Sequence, residues 1–234
     1  MCKSIFNIAK LNLKNIKVPY WVTGITCFLM LVQMIINSIV INNNMEISVG
    51  NYLWLLPVMA AIFIPAKNFR RIINLGGKRG NFFWGSLMTY AILAFIISFA
   101  NVLFNYFFDR LFEASPNFDR SYFGGVVNLI EVFGWTRYGP VVAFVQQFAF
   151  LFLFSVFVHT LTAVQGKWYG WTTDLLIVTI ISVFIPIATL RRALLWFFKL
   201  ILYHPNALLQ ITACIVLAAG IYALNKPIFA RKAI

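Results

Sequence analysis

The chain alternates between long apolar runs and short polar or basic segments. Six of the runs approach the length of about 17–25 residues that a helix needs to cross the hydrocarbon core of a membrane. They cover residues 18–41, 49–66, 82–108, 139–164, 171–190 and 206–224. Because a helix satisfies its own backbone hydrogen bonds in lipid, this pattern predicts an all-α integral membrane protein. We expect residues 1–234 to form a single transmembrane domain.

The first 17 residues are amphipathic instead of continuously apolar. Four lysines and Asn7 recur at steps of three or four residues, and Ile5, Ala9 and Leu13 lie largely opposite them. This predicts a helix at the membrane interface whose lysines face anionic headgroups. A cleaved signal peptide is the alternative, but the apolar run that follows is too long and lacks a small-residue cleavage site.

Residues 67–81 form a strongly basic segment between the second and third runs. The segment has five Lys and Arg residues and no Asp or Glu, and short basic loops stay on the cytoplasmic side of a membrane. Its basic and apolar side chains fall on opposite faces of a helix, and the Gly76-Gly77 pair is typical of a helix end. The pattern predicts a short amphipathic helix along the inner membrane surface.

Two segments are assigned to the outer side. Residues 191–205 are basic and aromatic and too short to cross the membrane twice, so we predict a re-entrant or interfacial element. The mixed-charge segment 109–138 is predicted to be extracellular. With these assignments thirteen of the 19 Lys and Arg residues lie on the cytoplasmic side. The positive-inside bias therefore supports six spans with both termini cytoplasmic.

The composition agrees with this class of protein. Hydrophobic residues make up 62% of the chain, charged residues 11%, and the mean hydropathy is +0.85, which leaves too little polar surface to coat a soluble globule. The net charge of +13 does not indicate nucleic-acid binding, because the basic residues sit at the ends of apolar runs. We expect a multi-pass membrane protein.

Few side chains are placed for catalysis or cofactor binding. The Gly-Lys pairs at Lys78 and Lys167 lack the other residues of a phosphate-binding loop, and the three cysteines are scattered, so we predict neither an ATP site nor a metal site in this chain. No Asp or Glu lies deep in a run, which disfavours ion-coupled transport. Ser155 and His159 have the spacing of a nucleophile and a base, so an intramembrane enzyme stays an alternative.

Polar side chains recur at helical spacing inside four of the apolar runs. They are Thr26, Gln33 and Asn37 in the first; Ser98, Asn101 and Asn105 in the third; Gln147, Ser155, His159 and Thr162 in the fourth; and Thr179, Ser182, Pro186 and Thr189 in the fifth. Such stripes avoid lipid. They either join helices by hydrogen bonds or line a pathway for an amphipathic substrate.

The order of these elements resembles the membrane subunit of type-2 ABC exporters, the ABC-2 permease family. That family has an N-terminal amphipathic helix, six spans, an Arg-rich helix between spans two and three, and a short outer re-entrant element between spans five and six. The basic segment is also similar in sequence to the loop of that family. The matching residues are Arg71-Ile72-Ile73-Asn74-Leu75, Gly76-Gly77-Lys78-Arg79, Phe82-Phe83 and Gly85, although the family commonly has Pro where Gly76 or Gly77 stands.

The resemblance implies that two copies pair around a central pathway. Each copy would dock its basic helix, a coupling helix, into a groove of a separate ATPase subunit that binds ATP and Mg. The docking residues implied are Phe69, Arg70, Arg71, Ile72 and Asn74, with Lys67, Lys78 and Arg79 meeting acidic partner surface or lipid headgroups. A basic loop that only sets the topology is the alternative.

Family analogy places spans one, two and five near the dimer pathway, which gives Gln33, Asn37, Thr179, Ser182 and Thr189 as lining residues. An aromatic-rich, weakly charged pathway suits a hydrophobic or amphipathic substrate. The small size and the absence of a fused ATPase resemble bacterial permeases that export antimicrobial or cytolytic peptides, such as the phenol-soluble modulin exporters, or give immunity to them. Lipid or drug export and a non-transporting scaffold or sensor subunit are further alternatives.

Overall fold

The computed structural model describes residues 2–39, 46–109, 126–165 and 168–231. The predictions for the mixed-charge residues 110–125 and for Lys167 therefore lie outside the described residues. In chain order the helices are α1 (Cys2–Asn15), α2 (Lys17–Ile39), α3 (Val49–Tyr52), α4 (Leu55–Phe63), α5 (Phe69–Asn74), α6 (Arg79–Leu103), α7 (Leu129–Val132), α8 (Pro140–Val164), α9 (Trp168–Phe184), α10 (Ala188–Leu202) and α11 (Ala207–Arg231).

The helical membrane architecture is confirmed in its coarse form. Five helical stretches are long and apolar enough to cross a membrane: Lys17–Asn37, Val49–Asn74, Arg79–Phe107, Pro140–Val164 and Ala207–Ile228. A sixth candidate is a bent pair, Gly170–Phe184 and Ala188–Leu202, whose two helices meet at 116°. By length and composition the described residues thus supply five spans, or six if the bent pair is one.

The bend between α9 and α10 corrects one prediction. The fifth apolar run was expected to be one helix over 171–190, but the helix stops at Phe184 and resumes at Ala188. Pro186 lies in the break, where its missing N–H and its ring oppose continuation of a helix. Thr189 therefore lies in α10, apart from Thr179 and Ser182 in α9, and the predicted four-residue stripe is wrong as a single helical face.

Helix α8 is the centre of the bundle and packs against α4, α6 and α11. Its longest interface, with α11, is narrow because it is built from small buried residues, among them Ala149, Cys214 and Ala218. Polar side chains join the two helices on either side of this seam. Gln146 donates to the Gln210 carboxamide oxygen, and Asn225 Nδ2 donates to Thr160 Oγ1 at 2.7 Å.

One end of the bundle, the loop end, is formed by α1, α5 and the start of α6. Helix α1 buries Ile8 and Ala9 and packs along α6, and Ile16, which follows the helix, is also buried. Gly85 of α6 permits the close approach, since a Cβ at this position would lie 2.6 Å from Ile8 Cγ2 and 3.2 Å from the Ile5 carbonyl oxygen. The predicted interfacial helix is thus a helix that also packs against the bundle.

The opposite end is closed by short elements. Strands β1 (Glu46–Ile47) and β2 (Val126–Val127) pair in parallel, and a 3-10 turn, Trp135–Tyr138, precedes α8. Trp135 Nε1 donates to the Leu202 carbonyl at 2.9 Å, and the Tyr138 hydroxyl donates to the Pro205 carbonyl at 2.8 Å. These two bonds hold the turn between α10 and α11 against the start of α8.

Replacing Gly85 with alanine is expected to lower the thermal unfolding midpoint of the purified chain in detergent. The added methyl group overlaps Ile8 and the backbone of α1, and overpacking of this kind costs about 1–3 kcal/mol. Gly80→Ala is the matched control, because Gly80 lies in the same helix with nothing within 4 Å of its Cβ position. Equal midpoints for the two variants would contradict the close packing of α1 on α6.

Candidate functional site

The basic helix α5 is a direct continuation of α4. A π-helical turn, Ile64–Asn68, joins them without a break, and the Phe69 N–H donates to the Ile64 carbonyl, five residues earlier. Pro65 lies within this turn, where the wider winding accommodates its missing N–H. The predicted division at 66–67 therefore falls inside one helical stretch, which runs from α4 into α5.

Helix α5 ends where the Gly-Gly pair predicts. Gly76 has a φ of +82°, a left-handed conformation that glycine adopts without a steric penalty. The Gly77 N–H donates to the Ile72 carbonyl and the Gly76 N–H to the Ile73 carbonyl, each at 2.9 Å, which is a Schellman motif. The motif turns the chain sharply toward α6.

The two faces of α5 have opposite environments. Phe69 and Ile72 are 1% and 3% exposed, and Phe69 packs edge-to-face on Phe82 with 5.2 Å between ring centroids. Both side chains were predicted to dock a partner, but in this structure they lie in the core and hold α5 in place. The face that a partner can reach consists of Arg70, Arg71, Asn74 and Leu75.

Leu75 was missed by the sequence reasoning. Its side chain is 74% exposed at the tip of the loop. The helical pattern of 67–74 ends one residue before Leu75. Periodicity therefore does not predict whether the Leu75 side chain faces the core or the solvent. Leu75 thus adds an exposed apolar side chain next to the two exposed arginines.

Three hydrogen bonds tie this segment to α1. Asn68 Nδ2 donates to Asn12 Oδ1 at 3.2 Å, and both residues are buried. Arg71 Nη1 donates to Asn15 Oδ1 at 3.2 Å on the surface. At the start of α6, Asn81 Nδ2 donates to Ser4 Oγ at 2.8 Å. The N-terminal helix thus braces the segment on both sides of its turn.

The surface of the loop end is strongly basic. Lys67 and Lys78 are exposed and Arg79 is half-buried, next to the exposed Arg70 and Arg71. Helix α1 and the residues after it add four exposed lysines, which are Lys3, Lys10, Lys14 and Lys17. A surface with so many positive charges attracts acidic protein surfaces and anionic headgroups.

The predicted pathway residues lie on the least buried helices. Gln33, Thr179, Ser182 and Thr189 are exposed and Asn37 is half-buried. The Thr179 hydroxyl donates to the Leu175 carbonyl of its own helix at 2.8 Å. None of the three grooves that the structure describes is lined by these residues. A single copy of the chain therefore brings them to its surface.

The polar stripes of α6 and α8 are instead packed inside the bundle. Ser98, Asn101, Gln147, Ser155 and His159 are all buried. The Ser155 hydroxyl donates to the Leu151 carbonyl at 2.8 Å, whereas His159 Nδ1 pairs with the Tyr90 hydroxyl at 2.6 Å. Ser155 and His159 are thus hydrogen-bonded to other groups and not to each other.

A buried polar cluster at the opposite end was also missed. Asp109 Oδ1 accepts from Ser48 Oγ at 2.9 Å and its Oδ2 accepts from Asn128 Nδ2 at 3.0 Å. Asn51 binds the neighbouring backbone, donating to the Val127 carbonyl and accepting from the Leu129 N–H, both at 2.9 Å. The segments that contain Ser48, Asp109 and Asn128 come together only in the folded chain. Their spacing in the sequence therefore does not predict the cluster.

Comparison of the chain with known protein families, with curated proteins and with solved structures finds no match in any of the three. Within the described ranges no group of three or more His, Cys, Asp or Glu side chains is placed to hold a metal ion. The site is therefore interpreted from its own geometry.

Replacing Asn128 with alanine is expected to lower the thermal unfolding midpoint in detergent. The change removes the bonds to Ser48 and Asp109 and the cap on the Ile130 N–H, and unsatisfied buried polar groups cost about 1–3 kcal/mol each. Asn206→Ala is the control, because Asn206 also caps a helix but is exposed, and such caps contribute about 1 kcal/mol. Equal losses would contradict a stabilising role for the buried cluster.

Proposed function

We propose that this chain is the membrane-spanning permease subunit of an ATP-driven exporter of the type-2 ABC class, working with a separate ATPase subunit. The observation that carries the proposal is the construction of α5. It is a continuous extension of an apolar helix, Phe69 and Ile72 are buried, and its arginines are exposed. A helix of this kind passes a push on its exposed face directly to the segment that enters the membrane.

The partner surface that fits this face is acidic with an apolar depression. Arg70 and Arg71 supply the charge, and Leu75 supplies the apolar contact. Guanidinium groups bind carboxylates through two parallel hydrogen bonds, which fixes orientation as well as affinity. ATP and Mg belong to the partner in this proposal, and closure of the ATPase on ATP would move α5 together with α4.

A second copy of the chain completes the transporter. Helices α2 and α9 expose large apolar side chains such as Trp21 and Leu175, at 71% and 67%, and the same helices expose Gln33, Thr179 and Ser182. Polar side chains in a span are disfavoured against lipid. Pairing of two copies would cover them and form the pathway that one copy lacks.

The substrate class follows from the side chains available to such a pathway. They are hydroxyls, carboxamides and many apolar groups, with no carboxylate among the predicted lining residues. This lining suits a hydrophobic or amphipathic molecule, and we propose an amphipathic peptide leaving a bacterial cell.

The test is co-purification from the native membrane. The tagged chain is extracted in mild detergent, and an ATP-binding subunit is expected in stoichiometric amount by mass spectrometry. Arg70→Glu with Arg71→Glu is expected to reduce its recovery by about tenfold or more, since reversing charge at an interface opposes association. The matched control is Arg191→Glu with Arg192→Glu, an exposed arginine pair in α10 that is expected to leave recovery unchanged.

Loss of the ATPase from both double variants would show a general effect of charge and would contradict specific docking on α5. Undiminished recovery of the ATPase with the Arg70→Glu and Arg71→Glu variant would also contradict docking on this face. Monodisperse elution of each variant on size exclusion shows that the fold persists. Purification of the unaltered chain without any nucleotide-binding protein would overturn the exporter proposal.

A further inference from the structure

A groove lies between α6, α8 and α11 near the loop end, with a volume of about 340 Å³. Its α11 wall recedes at Ala219 and Ala223, which are small and one helical turn apart. Aromatic side chains from both α11 and α6 also line the groove. Tyr222 and Phe83 lie with 4.3 Å between ring centroids, and the Tyr222 hydroxyl donates to the Phe83 carbonyl, which removes that polar group from the groove lining.

The groove has one charged side chain. Lys226 lines it and is exposed, two residues before the end of the apolar stretch Ala207–Ile228. Trp84, 51% exposed, also lines it, and tryptophan favours the depth of the lipid headgroups. The groove is therefore apolar along its length and cationic at the end nearest the membrane surface.

Among the described residues, no carboxylate lines the groove beside Lys226. The carboxylates that the structure places, Asp109, Glu131 and Asp174, are hydrogen-bonded to Asn128, Asn105 and Gln165 respectively.

Two other grooves in the described part of the chain differ in this respect. One lies at the opposite end between α8 and α11, with a volume of about 710 Å³, and another lies between α8, α10 and α11, with about 290 Å³. Neither has a charged side chain in its lining. Of these three grooves, the one with Lys226 is the one suited to an anionic headgroup.

We propose that the groove between α6, α8 and α11 binds an anionic phospholipid, with an acyl chain beside Ala219 and Ala223 and its phosphate at Lys226. Cationic pockets between helices at a membrane surface bind anionic headgroups in this way. The site is independent of the exporter proposal, because it requires neither an ATPase nor a transported substrate.

The first test compares two lipids on the full chain in detergent by native mass spectrometry. Phosphatidylglycerol is expected to bind more tightly than phosphatidylcholine with the same acyl chains. Lys226→Gln is expected to reduce the phosphatidylglycerol affinity by about fivefold, the contribution of one lysine near an anionic surface. Lys199→Gln, which removes an exposed lysine from α10, is the control and is expected to retain the preference.

Equal binding of the two lipids, or equal losses from Lys226→Gln and Lys199→Gln, would overturn the proposal.

A second variant tests the acyl chain. Ala219→Phe fills the groove and is expected to weaken both lipids, whereas Val216→Phe, on an exposed side of α11 outside the groove, is expected to weaken neither. Undiminished binding to Ala219→Phe would place the lipid elsewhere and contradict the assignment.

Discussion

The buried hydrogen bond between Asn68 and Asn12 is the contact on which the loop end depends. It joins α1 to the stretch that runs from α4 into α5, and the apolar packing of Ile8 and Phe69 surrounds the same region. A buried carboxamide that loses its partner costs about 1–3 kcal/mol, so the two asparagines fix the relative position of the two helices. The exposed arginines of α5 thereby have a defined orientation.

The connection between α4 and α5 has a mechanical consequence. A flexible loop would absorb a force applied to its tip, whereas a helix that continues through a π-helical turn transmits it. Such turns recur at functional sites because they add one residue to a helix without breaking it. In this chain the turn lies between the apolar helix α4 and the basic helix α5, so under the proposed function a displacement of α5 would be passed to α4.

The sequence predicts the elements better than their environments. Apolar runs give the helices, and the Gly76-Gly77 pair gives the end of α5, because both signals are local. The break at 185–187 is hidden since Ile185 and Ile187 keep the hydropathy high on both sides of Pro186.

Long-range packing accounts for what the sequence does not show. Helical spacing places Phe69 and Arg70 on different faces of α5. It does not predict whether the apolar face packs against a partner or against the core of the chain, and in the structure this face packs against the core. The Asp109 cluster depends on residues brought together from distant segments, and the predicted pathway residues lie at the surface of a single copy.

The most direct measurement of the central claim, that the exposed face of α5 binds an ATPase subunit, is photo-crosslinking in the native membrane. A photoreactive side chain at Leu75 is compared with one at Leu208, which is equally exposed, 73% against 74%, at the opposite end. The account predicts that the Leu75 probe captures a protein that also labels with an ATP analogue, and that the Leu208 probe does not. Capture of lipid alone at both positions would contradict it.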